Sequence, residues 1–197
     1  MGRVRAHKGT QGGSESMLTP KELGSARLET LRRLREAGIA LTEAEEGSVE
    51  VADFGLGALG EVGLELITYV NTDRCCAKEL VLFPWQVCPE HRHPPIGGEP
   101  GKEETFRCRK GVVYLYVEGP PVSPIKGRVP KGRESAFTVF HEVTLAEGEQ
   151  YTLRPDTLHW FQGGPEGAIV SEFSTRSRDD SDVFTDPGIK RATEVSG

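Results

Sequence analysis

His91 and His93 stand one residue apart in the run Pro89–His93, with Glu104 downstream and His159 much further along the chain. In an extended strand, residues two apart project from the same face. Both imidazoles of the pair can therefore address one point. A carboxylate and a third imidazole on neighbouring strands would complete a pocket for a single divalent cation. Imidazole suits zinc, iron, nickel and copper, while an added carboxylate with open water positions admits manganese and ferrous iron. Three histidines and one glutamate leave two positions of an octahedron open, enough for two substrate oxygens. If these side chains meet, the function is chemistry at that metal.

The elements that must bring them together read mostly as strands. Thr19-Pro20-Lys21-Glu22 opens a helix over about 19–37: Thr19 caps it, Pro20 suits its first turn and Glu22 completes a capping box. Leu23, Ala26, Leu31 and Leu34 lie along one face, and Gly38 ends it. After Leu41 the pattern changes to period two. Strands are expected around Val49–Phe54, Val62–Asn71, Glu79–Phe83, Val112–Val117, Ala136–Leu145, Glu149–Leu153 and Ala168–Phe173. A long excursion rich in Pro, Gly and basic residues fills 119–135. Many short strands separated by turn signals indicate an all-β sandwich or barrel. Residues 1–16 read as a flexible leader or cloning remnant, with Met17 as a possible true start and His7 a tail residue. Residues 17–197 read as one domain.

Composition narrows the function further. The net charge of -6 has acids and bases intermixed, unlike a basic nucleic-acid footprint, so no nucleic-acid partner is expected. No apolar run is long enough to span a bilayer, so no membrane association is expected either. The 24 glycines and 13 prolines favour turns over a helical bundle. Cys75, Cys76, Cys88 and Cys108 form no C-x-x-C pair. They read as reduced, mostly buried thiols of a cytoplasmic protein. His141 reads as a strand or surface histidine.

The spacing then carries a resemblance. From His91 the chain runs His-x-His, ten residues, Glu104, six residues, Gly111; from Gly148 to His159 is eleven positions, with Pro155 between. These resemble the two motifs of the cupin superfamily, which implies a double-stranded β-helix, or jelly-roll barrel, behind the N-terminal helix. Two departures stand out: the gap from His93 to Glu104 is long, and Pro155 sits one position late. The insertion Pro94–Gly101 reads as an enlarged turn between two strands. It makes Glu99 and Glu103 rivals to Glu104, which is preferred for its spacing to Gly111. A narrower match covers residues 75–190: Cys76–Pro84, Cys88–His93, Gly101–Phe106, Arg154–Gln162, Glu172–Ser174 and Asp179–Asp182 resemble the D-lyxose isomerase family of cupins. That resemblance implies interconversion of D-lyxose and D-xylulose, and often of D-mannose and D-fructose, with a divalent metal (usually manganese) in a homodimer. It implies metal ligands at His91, His93, Glu104 and His159, an active-site lysine at Lys102 and an acidic residue at Glu172.

Aldose–ketose isomerisation moves a proton between C1 and C2 of a weak carbon acid, through a cis-enediol that a cation on O1 and O2 would stabilise. Glu172, on a strand facing the pocket, is the first choice of base. Lys102 would protonate or hydrogen-bond the developing oxyanion, Asp182 would bind the sugar hydroxyls, and Trp160, Phe106 or Tyr114 would offer the sugar an apolar wall. The polar run Ser174–Asp182 matters only if it folds back over the pocket. Three other readings use the same ligand set. A phosphosugar isomerase needs a phosphate pocket, for which Lys126, Arg128, Lys131 and Arg133 are available. A mononuclear iron dioxygenase and a non-catalytic sugar-binding cupin are the others.

Overall fold

The computed structural model describes residues 18–196; the readings of the leader, of Met17 and of His7 fall outside them. Helix α1, Pro20–Glu36, starts as its sequence dictates: Thr19 Oγ1 accepts from the Glu22 amide at 3.2 Å while the Glu22 carboxylate accepts from the Thr19 amide at 2.9 Å. Its buried Ala26 and Leu34 pack with Val49, Ile67, Val81 and Ile169 on the outside of the sheet. A short helix α2, Glu43–Gly47, follows where only extended chain was expected. Thr42 and Glu45 build the same reciprocal cap there, a signal present in the sequence.

The strands are β1 Glu50–Ala52, β2 Leu64–Asn71, β3 Cys76–Leu82, β4 Val87–Arg92, β5 Glu104–Val117, β6 His141–Ala146, β7 Gln150–Leu153, β8 His159–Ser174 and β9 Val183–Phe184. Every pairing between them is antiparallel, in the order β1-β2-β3-β8-β4-β9, with β5 joining β8 to β6 and β7. β8 closes the fold. Its first residues pair with β4 and the end of β5, and its last residues pair with β3 and the start of β5. The sheet thereby curls on itself into the expected cupin double-stranded β-helix. Where the two long strands bend, a Cβ on Gly111 (φ 76°) would stand 2.3 Å from the Gly167 carbonyl oxygen, so only glycine passes. The inside of the curl buries Leu66, Leu80, Phe106, Leu115, Phe161 and Val170.

One expected strand is shorter. Over 136–145 only His141–Ala146 pairs, and Glu134–Ala136 is a 3₁₀ turn. The residues before β6 instead lie over the outer face, where Ile125, Val129, Phe137 and Val139 pack around Tyr116 and Trp160. Covering these two aromatic rings removes their apolar surface from water, at about 25 cal/mol per Å² buried.

Candidate active site

β4 and β8 run antiparallel with His91 opposite His159. His93 lies one residue beyond β4, and its ring centroid is 4.9 Å from that of His91. The three imidazoles each place a ligand nitrogen within 4.8 Å of the other two. Glu104 opens β5, and its Oε1 lies 3.0 Å from His93 Nε2 and 3.2 Å from His159 Nε2. All four side chains are buried. Glu99 is exposed and pairs with Arg178, and Glu103 is exposed, so neither rival reaches this centre. The insertion Pro94–Gly101 is the expected turn, closed by a bridge between Ile96 and Glu99. A Cβ on Gly101 would stand 1.9 Å from the His93 carbonyl oxygen; the absent side chain lets the insertion return beside the ligand strand.

Hydrogen bonds on the far side of each ring set the tautomers. His91 Nδ1 donates to the Pro89 carbonyl at 2.8 Å and His159 Nδ1 to the Thr157 carbonyl at 3.0 Å. Each leaves a bare Nε2 facing inward. His93 Nδ1 donates to Asp182 Oδ1 at 2.5 Å. Burial, with His159 and His93 alongside, pushes His91 well below the usual imidazole value and keeps it neutral. Burial opposes a charge on His93 too, but Glu104 and the bond to Asp182 outweigh it and raise its pKa to about 9. Glu104 is held well below the carboxylate range: burial opposes ionisation, and the charges of Lys102 and His93 overcome it.

Beside this centre Lys102 Nζ bridges two carboxylates, 2.7 Å from Glu104 Oε2 and 3.1 Å from Glu172 Oε1. Burial penalises its charge, but Glu104 and Glu172 win and hold the ammonium well above its ordinary pKa. Glu172 lies on β8 in register with Phe106 of β5 and Lys78 of β3. Ser174 Oγ also donates to it at 3.1 Å.

The polar run after β8 does fold back, bringing Asp179 and Asp182 into the pocket wall. Lys78, Asp179 and Arg191 line the pocket without having been assigned a role from the sequence. Lys78 sits inside the Cys76–Pro84 motif, the one signal that marked it. Trp160 corrects an expectation. As the neighbour of inward-facing His159 it projects from the opposite face of β8, stacked on Tyr116 with ring centroids 3.8 Å apart and its indole N–H donated to the Val139 carbonyl at 2.8 Å. It is core and does not line the pocket. Tyr114 also faces outward, stacked on Trp85; Phe106 lines the pocket. His141 lies at the start of β6, with Nδ1 donating to the Pro120 carbonyl.

Three basic residues of the excursion are engaged away from the pocket. Lys126 pairs with Glu142, the Arg128 guanidinium lies 3.5 Å over the Trp85 ring, and Arg133 pairs with Asp186. None of them, nor Lys131, lines the pocket.

No family model matches the chain. Curated relatives do. The D-lyxose ketol-isomerase of Cohnella laeviribosi is 63% identical over 170 residues, covering 86% of this chain and 93% of the relative. The D-lyxose/D-mannose isomerase of Thermosediminibacter oceani is 59% identical over 179 residues, covering 91% and 99%. The chain belongs to the D-lyxose isomerase family. Membership makes it an aldose–ketose isomerase and sets aside the dioxygenase and non-catalytic readings. Among solved structures, L-ribose isomerases from Cellulomonas parahominis and Acinetobacter sp. DL28 superpose on this lyxose isomerase family member with TM-scores of 0.79. Each is 16% identical to it; they cover 93% and 92% of this chain and 100% and 99% of their own. At that identity they support the shared fold.

The donor set of this D-lyxose isomerase family centre fits a divalent metal. His159 Nε2 is buried with no hydrogen-bond partner, its approach to Glu104 being off the hydrogen-bonding direction. An orphaned imidazole nitrogen beside two further inward nitrogens and an ionised carboxylate is costly unless a cation completes it. The four cysteines are free thiols and none belongs to this group. Among the described residues no helix is long and apolar enough to cross a membrane.

Proposed function

We propose that this protein interconverts D-lyxose and D-xylulose, with D-mannose and D-fructose as a second pair, using a manganese ion held by His91, His93, Glu104 and His159. The bound cation would supply Lewis acidity at the reacting sugar oxygens. The observation that carries the reading is the bridge from Glu104 through Lys102 to Glu172 beside three imidazoles. It puts an ionised ligand, a charged donor and a second carboxylate side by side in a buried pocket. That is the equipment for moving a proton between adjacent carbons while the charge on oxygen is stabilised.

In this reading Glu172 carries the proton between C1 and C2. Lys102 has three N–H donors, and its two carboxylates use two of them. The third is available to the sugar oxygen on which negative charge develops. Asp182 orients His93 through its short hydrogen bond, a role that displaces sugar binding as its main work. Phe106 supplies an apolar surface for the C–H face of the sugar.

The phosphosugar alternative is disfavoured because none of its four basic candidates lines the pocket and three of them, Lys126, Arg128 and Arg133, are engaged elsewhere. A homodimer in a reducing cytoplasm completes the proposal. The dimer follows from the family resemblance, and four unpaired thiols support the compartment. Stripping the protein with a chelator, restoring single metals and screening aldoses tests the whole reading. Ketose should form from D-lyxose only after Mn(II), Co(II) or Ni(II) is returned. No ketose from any free sugar rejects it, and turnover of D-mannose 6-phosphate in preference to D-mannose selects the phosphosugar alternative.

A further inference from the structure

Lys78 on β3 has no part in the roles assigned above, yet it is only 4% exposed and stands in the pocket wall. Its ammonium makes three hydrogen bonds. All go to one segment far along the chain: Ser177 Oγ at 3.0 Å, Asp179 Oδ1 at 3.0 Å and Asp179 Oδ2 at 2.7 Å. That segment also carries Asp182, which orients His93. Asn71 of β2 adds a reciprocal pair of bonds with the backbone of Ser177 at 3.0 and 3.1 Å, and Arg191 reaches Asp179 at 3.4 Å. Toward the pocket floor, Lys78 stands directly across the β3–β8 ladder from Glu172.

A buried ammonium persists only with anions around it. Burial opposes the charge on Lys78, but Glu172 and Asp179 hold its pKa above the usual lysine value. Asp179 is likewise held below the carboxylate range: burial opposes ionisation, and Lys78 and Lys102 overcome it. The cation is thus shared between a floor carboxylate and a wall carboxylate that would otherwise repel. The run 174–182 is polar and offers little apolar surface to bury, so polar ties anchor it: Thr175 to Glu103, Arg176 to Asp73 and Arg178 to Glu99 at the exposed side, and the buried Lys78–Asp179 pair at the pocket side.

We propose that Lys78 is a positioning residue that clamps the 177–182 segment over the sugar site, so that admitting sugar breaks the Lys78–Asp179 pair and closing over sugar restores it. The inference rests on the isomerase reading for its kinetic arm. Its physical content is a local opening equilibrium biased by one ion pair. Apparent affinity scales with the closed fraction, so a clamp weakened until about one tenth of molecules are closed raises KM about tenfold. The segment also carries Asp182, which orients His93, so the kinetic arm is read at saturating metal; there Glu172 and Lys102 remain in place and KM rises more than kcat falls.

The experiment uses the full, metal-loaded chain and compares Lys78→Met, Lys78→Arg and Asp179→Asn. Backbone hydrogen exchange over 175–182 and steady-state kinetics with D-lyxose are read together. The expected result is faster exchange in that segment and a KM raised about tenfold for Lys78→Met and Asp179→Asn. Lys78→Arg should recover much of both, and the double variant Lys78→Met/Asp179→Asn should add little to either single change. Unchanged exchange in the segment overturns the proposal, as does a fall in kcat with KM and exchange unmoved, which would assign Lys78 to the proton transfer. If Lys78→Met does not fold, Asp179→Asn and Lys78→Arg give the same readout. A protein inactive on D-lyxose would defeat the substrate reading alone, because the exchange arm reports the clamp without turnover.

Discussion

Asp182 Oδ1 lies 2.5 Å from Nδ1 of His93, and the opposite nitrogen of the same ring lies 3.0 Å from Glu104. The ring is held from behind by one carboxylate and presented to the centre beside another. A metal-binding histidine anchored this way is a better ligand, because its orientation and tautomer are set in advance. Asp182→Asn should weaken divalent-metal affinity by about 10–100-fold, measured by competition with a chelating dye. An unchanged metal affinity would remove Asp182 from this role.

Glu172 and the proposed metal ligands should separate cleanly. His93→Ala is expected to lose metal and turnover together. Glu172→Gln keeps its hydrogen bonds with Lys102 and Ser174 and should bind metal normally, while kcat falls by about 10²–10⁴, the range for a lost general base. Metal content by mass spectrometry alongside kcat decides it. Full activity in Glu172→Gln would rule out this carboxylate as the base.

Trp160 should behave as core. Trp160→Phe loses the hydrogen bond to the Val139 carbonyl and part of the stack on Tyr116, costing about 1–2 kcal/mol of stability. The KM for D-lyxose should stay put. A denaturant titration beside a Michaelis curve checks both, and a large rise in KM at unchanged stability would return this ring to the sugar site.

Glu65 gives a pH signature unrelated to catalysis. It is fully buried, and burial raises its carboxyl pKa from 4.5 to about 8, against the hydrogen bond from Gln86. The folded state therefore binds this proton more tightly than the unfolded chain. The stabilisation is complete below the unfolded value near 4.5 and is lost as pH rises toward 8. Each unit separating the two values corresponds to roughly 1.4 kcal/mol. Glu65→Gln, which cannot ionise, should be more stable than the parent at pH 9 and less pH-dependent between 5 and 9. Parallel stability curves for the two proteins across that range would contradict it.

The fold class was legible in the chain, and so was the candidate set of four inward-facing side chains. His91, His93, Glu104 and His159 were legible because strand period two and the spacings to Gly111 and from Gly148 are local, covalent facts. The α1 cap was legible because Thr19 and Glu22 satisfy each other within one turn, and the equivalent Thr42–Glu45 pair could have revealed α2. What surrounds that centre became visible only in the folded chain. Trp160 turned out to be core because the 119–140 excursion folds over the outer face of β8, and no local pattern encodes where a long loop lands. Asp179 joined the pocket because a polar run that reads as solvated chain folded back against β3, where it meets Lys78, and against Arg191 from beyond β9. A buried charge is stable only beside its counter-charge, and those partners lie about a hundred residues away, where the folded chain alone brings them together.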